Sequence, residues 1–94
     1  MTAPRVEAKV TVRNKQGLHA RPSSVLAQTA IGFADTSIRL KKGALEVDAK
    51  SIMELILLEA HYGTELVIRA KGPRAAEAVA AIQALFDRQF DLRY

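Results

Sequence analysis

The sequence predicts an α+β fold: an open-faced β-sandwich with one four-stranded, mostly antiparallel sheet and three helices on one of its faces. Two observations carry this prediction. Four short runs alternate apolar and polar residues, so each strand has one face to bury and one to leave in water. Between and after them lie segments with apolar residues at helical spacing, and the longer two have a single apolar stripe. The order is β-α-β-β-α-β-α, and the economical packing places every helix on the same side of the sheet. The pattern leaves the strand order open.

The first strand is read from Val6, Ala8, Val10 and Val12, which alternate with Glu7, Lys9, Thr11 and Arg13. Asn14-Lys15-Gln16-Gly17 breaks the alternation as a loop does. From about Ala20 to Ile31 the spacing is helical, with Val25, Leu26, Thr29 and Ala30 recurring at helical steps and Gly32 as a stop. Pro22 suits a first turn but disfavours helical geometry at Arg21, so propensity alone starts the helix at Pro22 with Arg21 as its cap. Ile38 and Leu40, then Leu45, Val47 and Ala49, mark two strands joined by a turn at Lys42-Gly43-Ala44. Ser51 caps a short helix running to about Leu58, and His61-Tyr62-Gly63 closes it. Leu66 to Ala70 is the fourth strand. After Gly72-Pro73, the residues Ala75, Ala78, Val79, Ile82, Leu85 and Phe86 form the stripe of the last helix, which Phe90 to Tyr94 extend or trail.

Composition narrows the function. A chain of 94 residues makes one domain, and with 49% hydrophobic residues it can bury a core. The absence of cysteine excludes disulfides and cysteine-based zinc sites. The first residues lack a signal-like apolar stretch, and Ile52 to Leu58, the longest nearly apolar segment, is too short to span a bilayer. These features favour the cytoplasm and no membrane insertion. The net charge of +4 invites a nucleic-acid reading, but the basic residues are scattered among acidic ones, as on an ordinary solvated surface.

One cluster stands out as chemistry, Gly17-Leu18-His19-Ala20-Arg21-Pro22, at the start of a helix. Imidazole is a nucleophile near neutral pH. Guanidinium is a permanent cation shaped for phosphate oxygens. A helix N-terminus adds N–H donors and partial positive charge. A lone histidine before a helix reads as a polar cap, and a lone arginine as a solubilising side chain. Together at the helix mouth they describe a place for a phosphoryl group on histidine.

These six residues resemble the active-site signature of HPr, the histidine-containing phosphocarrier of the phosphoenolpyruvate-dependent sugar phosphotransferase system. Lys50-Ser51-Ile52-Met53 resembles the family's regulatory segment, and the likeness runs from about Val6 to Phe86. The resemblance implies a single domain over residues 1–94 with its core at about 6–88 and a short C-terminal tail. It implies that His19 accepts phosphate on Nδ1 from phosphorylated Enzyme I and passes it to the IIA component of a sugar permease. Arg21 would steady the phosphate, and the amides of Ala20 and Arg21 would bind it. The protein would form a phosphohistidine intermediate rather than turn over as an independent enzyme. It would need no cofactor and no metal, and would act as a monomer.

Ser51 is a preferred cap residue on its own account. The resemblance adds a regulatory role, phosphorylation by an HPr serine kinase that weakens contact with Enzyme I. In the helix behind it Leu55, Ile56 and Leu58 are assigned to the core. Ile52 and Met53 match positions of an apolar docking patch, and methionine suits a surface that must fit several partners. Glu54 stands where many relatives carry glycine or a basic residue, which weakens or redirects contact with an acidic Enzyme I face. The stretch from Gly43 to Ser51 is one residue longer than usual and predicts a longer hairpin or a bulge. His61 reads as a solvated loop residue.

Three other functions are compatible with parts of the pattern. The first is a regulatory HPr-like protein in a nitrogen-type relay, with the same site chemistry. The second is an interaction regulator working through Ser51 and the apolar patch. The third is an RNA-binding open-faced sheet, which needs stacking aromatics on its strands. Here Phe33, Tyr62, Phe86, Phe90 and Tyr94 all fall outside the predicted strands.

Overall fold

Each alternating run becomes a strand and each striped run a helix, in a computed structural model that describes residues 3–91. The elements are β1 (Arg5–Thr11), α1 (Ala20–Ile31), β2 (Ser37–Lys42), β3 (Leu45–Asp48), α2 (Ile52–Leu57), β4 (Glu65–Lys71) and α3 (Ala75–Asp87), then a 3-10 turn at Gln89–Asp91. The sheet order is β1-β4-β2-β3, and all three neighbouring pairs are antiparallel.

Register explains how the sheet divides into two faces. Residues directly opposed across a ladder share a face. Val6 opposes Ala70, Ala8 opposes Ile68 and Val10 opposes Leu66; on the other side of β4, Ile38 meets Ala70 and Leu40 meets Ile68. Val47 continues that face from β3 by opposing Leu40. The alternate positions place Glu7, Arg69 and Arg39 in one row on the open face. Arg39 and Arg69 are directly opposed like charges, which costs stability. Glu7 lies 2.7 Å and Glu46 3.2 Å from the Arg69 guanidinium and offset that cost.

The helices cover the apolar face. α3 packs on β1 and β4, and α1 packs on α2 and α3. Leu26, Ile82 and Phe86 are among the largest side chains in this core, and burial stabilises each by about 1.5–3 kcal/mol.

α1 takes the range Ala20–Ile31 that its apolar spacing predicts, with His19 as its N-cap, and not the start at Pro22 with Arg21 as cap that propensity alone gives. Proline in the first helical turn removes no intrahelical bond, so the helix accepts it there. The β2–β3 ladder runs without interruption from Arg39↔Asp48 to Lys42↔Leu45, so the hairpin is neither lengthened nor bulged. Its loop is Gly43-Ala44, with Gly43 at φ +57, as a tight two-residue turn requires. Leu45 has core parity but sits at the hairpin tip beyond the helical layer, and is 47% exposed. Ile56, assigned to the core, is 38% exposed, because the six-residue α2 turns only Leu55 fully inward. The core also reaches past residue 88: Phe90 is 3% exposed, and its ring meets Phe86 edge-on at 5.0 Å. It neither extends α3 nor trails from it, because the chain turns back through positive φ angles at Gln89, Phe90 and Asp91. Tyr94 lies outside the described residues.

Candidate functional site

The loop between β1 and α1 is fastened along its length. Val12 N–H donates to Thr64 O at 2.9 Å, and Gly63 N–H donates to Val12 O at 2.8 Å. A turn then closes through Gly17 N–H to Asn14 O at 3.1 Å, while the Asn14 side-chain amide donates to Gly17 O. Gly17 has φ +71, and a Cβ there would lie 2.4 Å from Ala60 O. Only glycine meets both conditions. Leu18 N–H donates to the same Ala60 carbonyl at 2.9 Å, and its side chain is buried. The chain is thus pressed against the segment leaving α2 just before His19.

His19 has extended backbone angles, φ −79 and ψ −167, and its side chain makes no capping bond. Its carbonyl accepts Ser23 N–H at 3.0 Å. An α-helix leaves the N–H groups of its first turn without intrahelical acceptors. Pro22 has no N–H and Ser23 N–H is used, so the donors left at this mouth are the amides of Ala20 and Arg21. The first turn contains no acidic residue, and the macrodipole adds roughly half a positive charge. Arg21 is exposed beside it. The structure therefore gathers His19, Ala20 and Arg21 at one electropositive helix end suited to a phosphoryl group.

Ser51, Ile52 and Met53 gather at a second helix start. Ser51 Oγ accepts Glu54 N–H at 3.2 Å, the capping bond expected of it. Glu54 reaches back, and its Oε1 accepts Asp48 N–H at 3.1 Å. The carboxylate is thus engaged at the β3–α2 junction, in a variant of the capping box. Ile52 is 40% exposed, Met53 70% and Leu57 68%. Together with Ile56 they form an uncovered apolar face on the helix that packs on α1. His61 is exposed, and its N–H donates to Thr64 Oγ1.

Among the described residues, no three or more His, Cys, Asp or Glu side chains group to hold a metal ion. None of the described helices is long and apolar enough to cross a membrane.

The profile of the family described as PTS HPr component phosphorylation site matches residues 6–88. The chain belongs to the HPr family of phosphocarriers. Among HPr-family relatives, the phosphocarrier protein HPr of Treponema pallidum (strain Nichols) is 39% identical over 82 residues, covering 87% of this chain and 92% of that protein. The phosphocarrier protein NPr of Escherichia coli (strain K12) is 38% identical over 87 residues, covering 92% of this chain and 96% of that one. The crystal structure of HPr-C-His from Thermoanaerobacter tengcongensis superposes with a TM-score of 0.88 at 34% identity, covering 95% of this chain and 99% of that chain. The open-faced sandwich is the HPr fold.

Two buried polar residues beside the HPr signature escape a reading of the sequence. Asn14 looks like a loop residue and Ser23 like a polar helix position, yet both are buried. Ser23 Oγ donates to Leu18 O at 3.1 Å. Asparagine in a turn is a known clip for nearby backbone, which is the signal that was present at Asn14.

Proposed function

We propose that this HPr-family chain carries a phosphoryl group on His19, taken from phosphorylated Enzyme I and given to the IIA component of a sugar permease. The observation that carries the reading is the mouth of α1, where two helix amides and Arg21 flank an extended N-cap histidine. The lone pair of His19 Nδ1 forms the new N–P bond. The electron pair of the breaking N–P bond returns to the donor imidazole, and the ring proton released by one imidazole is taken up by the other. Charge on the transferring oxygens is met by donors already in place, so little reorganisation is needed. Arg21 serves as a cation whose planar fork of donors fits the phosphoryl oxygens.

Partner recognition is read from α2. Ile52 and Met53 form the docking face for Enzyme I and IIA domains, and Glu54 is turned back toward Asp48 N–H rather than presented as a lone charge. Ser51 is the site for a serine kinase. A phosphate there is acceptable to the helix N-terminus and acts on the adjacent patch.

A nitrogen-type relay is the second reading, favoured by relatives named NPr at 38% identity beside those named HPr at 39%. Discharge of the phosphoprotein by sugar-type or nitrogen-type IIA domains separates the two. RNA binding is disfavoured, because Phe33, Tyr62, Phe86 and Phe90 all lie off the strands.

The deciding experiment is incubation with Enzyme I and radiolabelled phosphoenolpyruvate. The wild type acquires acid-labile, base-stable label, and His19→Ala acquires none. Label persisting on His19→Ala removes this assignment.

A further inference from the structure

The loop before His19 is built so that its carbonyls face inward. Three carbonyls precede the first helical residue, and each is taken by a donor: Gly17 O by the Asn14 side-chain amide, Leu18 O by Ser23 Oγ at 3.1 Å, and His19 O by Ser23 N–H at 3.0 Å. Asn14 is 2% and Ser23 0% exposed, so these donors pull the carbonyls toward the interior. Among the described residues the buried polar side chains are those of Asn14, Ser23 and Thr36, and two of these three serve this one segment. Asn14 is kept although no donor among the described residues meets its Oδ1. A buried side chain with an unmet acceptor is an expensive way to fill space, so its value lies in the bond its amide makes.

The consequence is electrostatic. Carbonyl oxygens carry partial negative charge, and a phosphoryl group on His19 presents negative oxygens. With all three carbonyls turned away, the backbone offers the phosphoryl group only donors. We propose that Asn14 and Ser23 are positioning residues that hold the backbone carbonyls of Gly17 and Leu18 away from the phosphoryl group, and so set the lifetime and transfer potential of phospho-His19. This rests on the reading of His19 as the phosphorylated residue. When either donor is removed, its carbonyl is released to turn outward. It then repels the phosphoryl oxygens and accepts a hydrogen bond from a water molecule. That water attacks phosphorus, the N–P bond breaks with its electron pair returning to the ring, and inorganic phosphate leaves.

The test uses the full chain charged by Enzyme I and phosphoenolpyruvate. Asn14→Asp keeps the side-chain shape and replaces the amide donor with acceptor oxygens. Ser23→Ala removes a hydroxyl with little change in volume and keeps the measurement possible should Asn14→Asp fail to fold. Ile82→Val, in the core away from the loop, is the control for loss of stability alone. The expected result is a phosphohistidine half-life shortened by roughly two- to fivefold in each loop variant. A lower phosphorylated fraction at equilibrium with phospho-Enzyme I accompanies it, and the half-life of Ile82→Val is unchanged. Wild-type half-lives in both loop variants, or an equal shortening in Ile82→Val, overturn the proposal. A wild type that takes no label overturns the underlying reading instead, so the two failures are distinct.

Discussion

At the residue scale, Gly17 carries two separate demands. It needs a left-handed backbone, and it lies against Ala60 O with no room for a methyl group. Gly17→Ala is expected to cost on the order of 1–3 kcal/mol, read as a lower urea midpoint. It should also slow phosphorylation of His19, because the displaced loop no longer delivers the histidine to the helix mouth. A variant that loses stability but is phosphorylated at the wild-type rate contradicts the second half. The sequence marks Gly17 as a break in a strand pattern and as part of a phosphate-handling cluster. It does not reveal Ala60 as the reason, because that contact joins distant parts of the chain. The same limit hid Asn14 and Ser23, whose burial follows from which carbonyls come near them, and no local periodicity encodes that. His19, Ala20 and Arg21 were legible because their grouping is contiguous.

At the scale of the element, α2 separates residues that fold the chain from residues that face outward. Ser51→Ala removes the bond to Glu54 N–H and should cost about 1 kcal/mol, measured by thermal or urea unfolding. Met53→Lys should leave the unfolding midpoint almost unchanged, since the side chain is 70% exposed. It should raise the KM for phosphorylation by Enzyme I while sparing the chemical step. Equal kinetics for Met53→Lys and wild type would remove Met53 from the docking face. The existence and cap of α2 were readable from Ser51 and the apolar run. Its inward sector was not, since a six-residue helix is apolar nearly all round and its packing on α1 decides which side chains are covered. Ile56 stays partly exposed for that reason, against its expected place in the core. The hairpin shows the reverse case, where Lys42-Gly43-Ala44 marks the turn and the length of the segment up to Ser51 points wrongly to a bulge.

At the scale of the whole molecule, the C-terminal turn closes the core. Phe90 returns beneath α3 and packs edge-on against Phe86. Phe90→Ala should destabilise the fold by about 3–5 kcal/mol, a loss to be read from the urea midpoint. A change below 1 kcal/mol, marking surface packing rather than core, is the contrary result. The sequence announced the number and order of elements because period two and helical spacing are local properties. It left β1-β4-β2-β3 undetermined because alternation tells which face of a strand is buried and says nothing about its neighbours.

That strand order also constrains how the protein is made. The inner strand β4 pairs with both β1 and β2 and is the last strand among the described residues. A nascent polypeptide that has emerged only as far as α2 holds an unpaired first strand, a helix and a hairpin. Contacts between distant segments wait for the intervening chain and are slow to form. The loop that presents His19 is fastened to Ala60, Gly63 and Thr64, at the threshold of that late strand. During biosynthesis His19, Ala20 and Arg21 therefore leave the ribosome early but acquire their arrangement almost last. The helix mouth proposed to carry the phosphoryl group is complete only when the sheet closes.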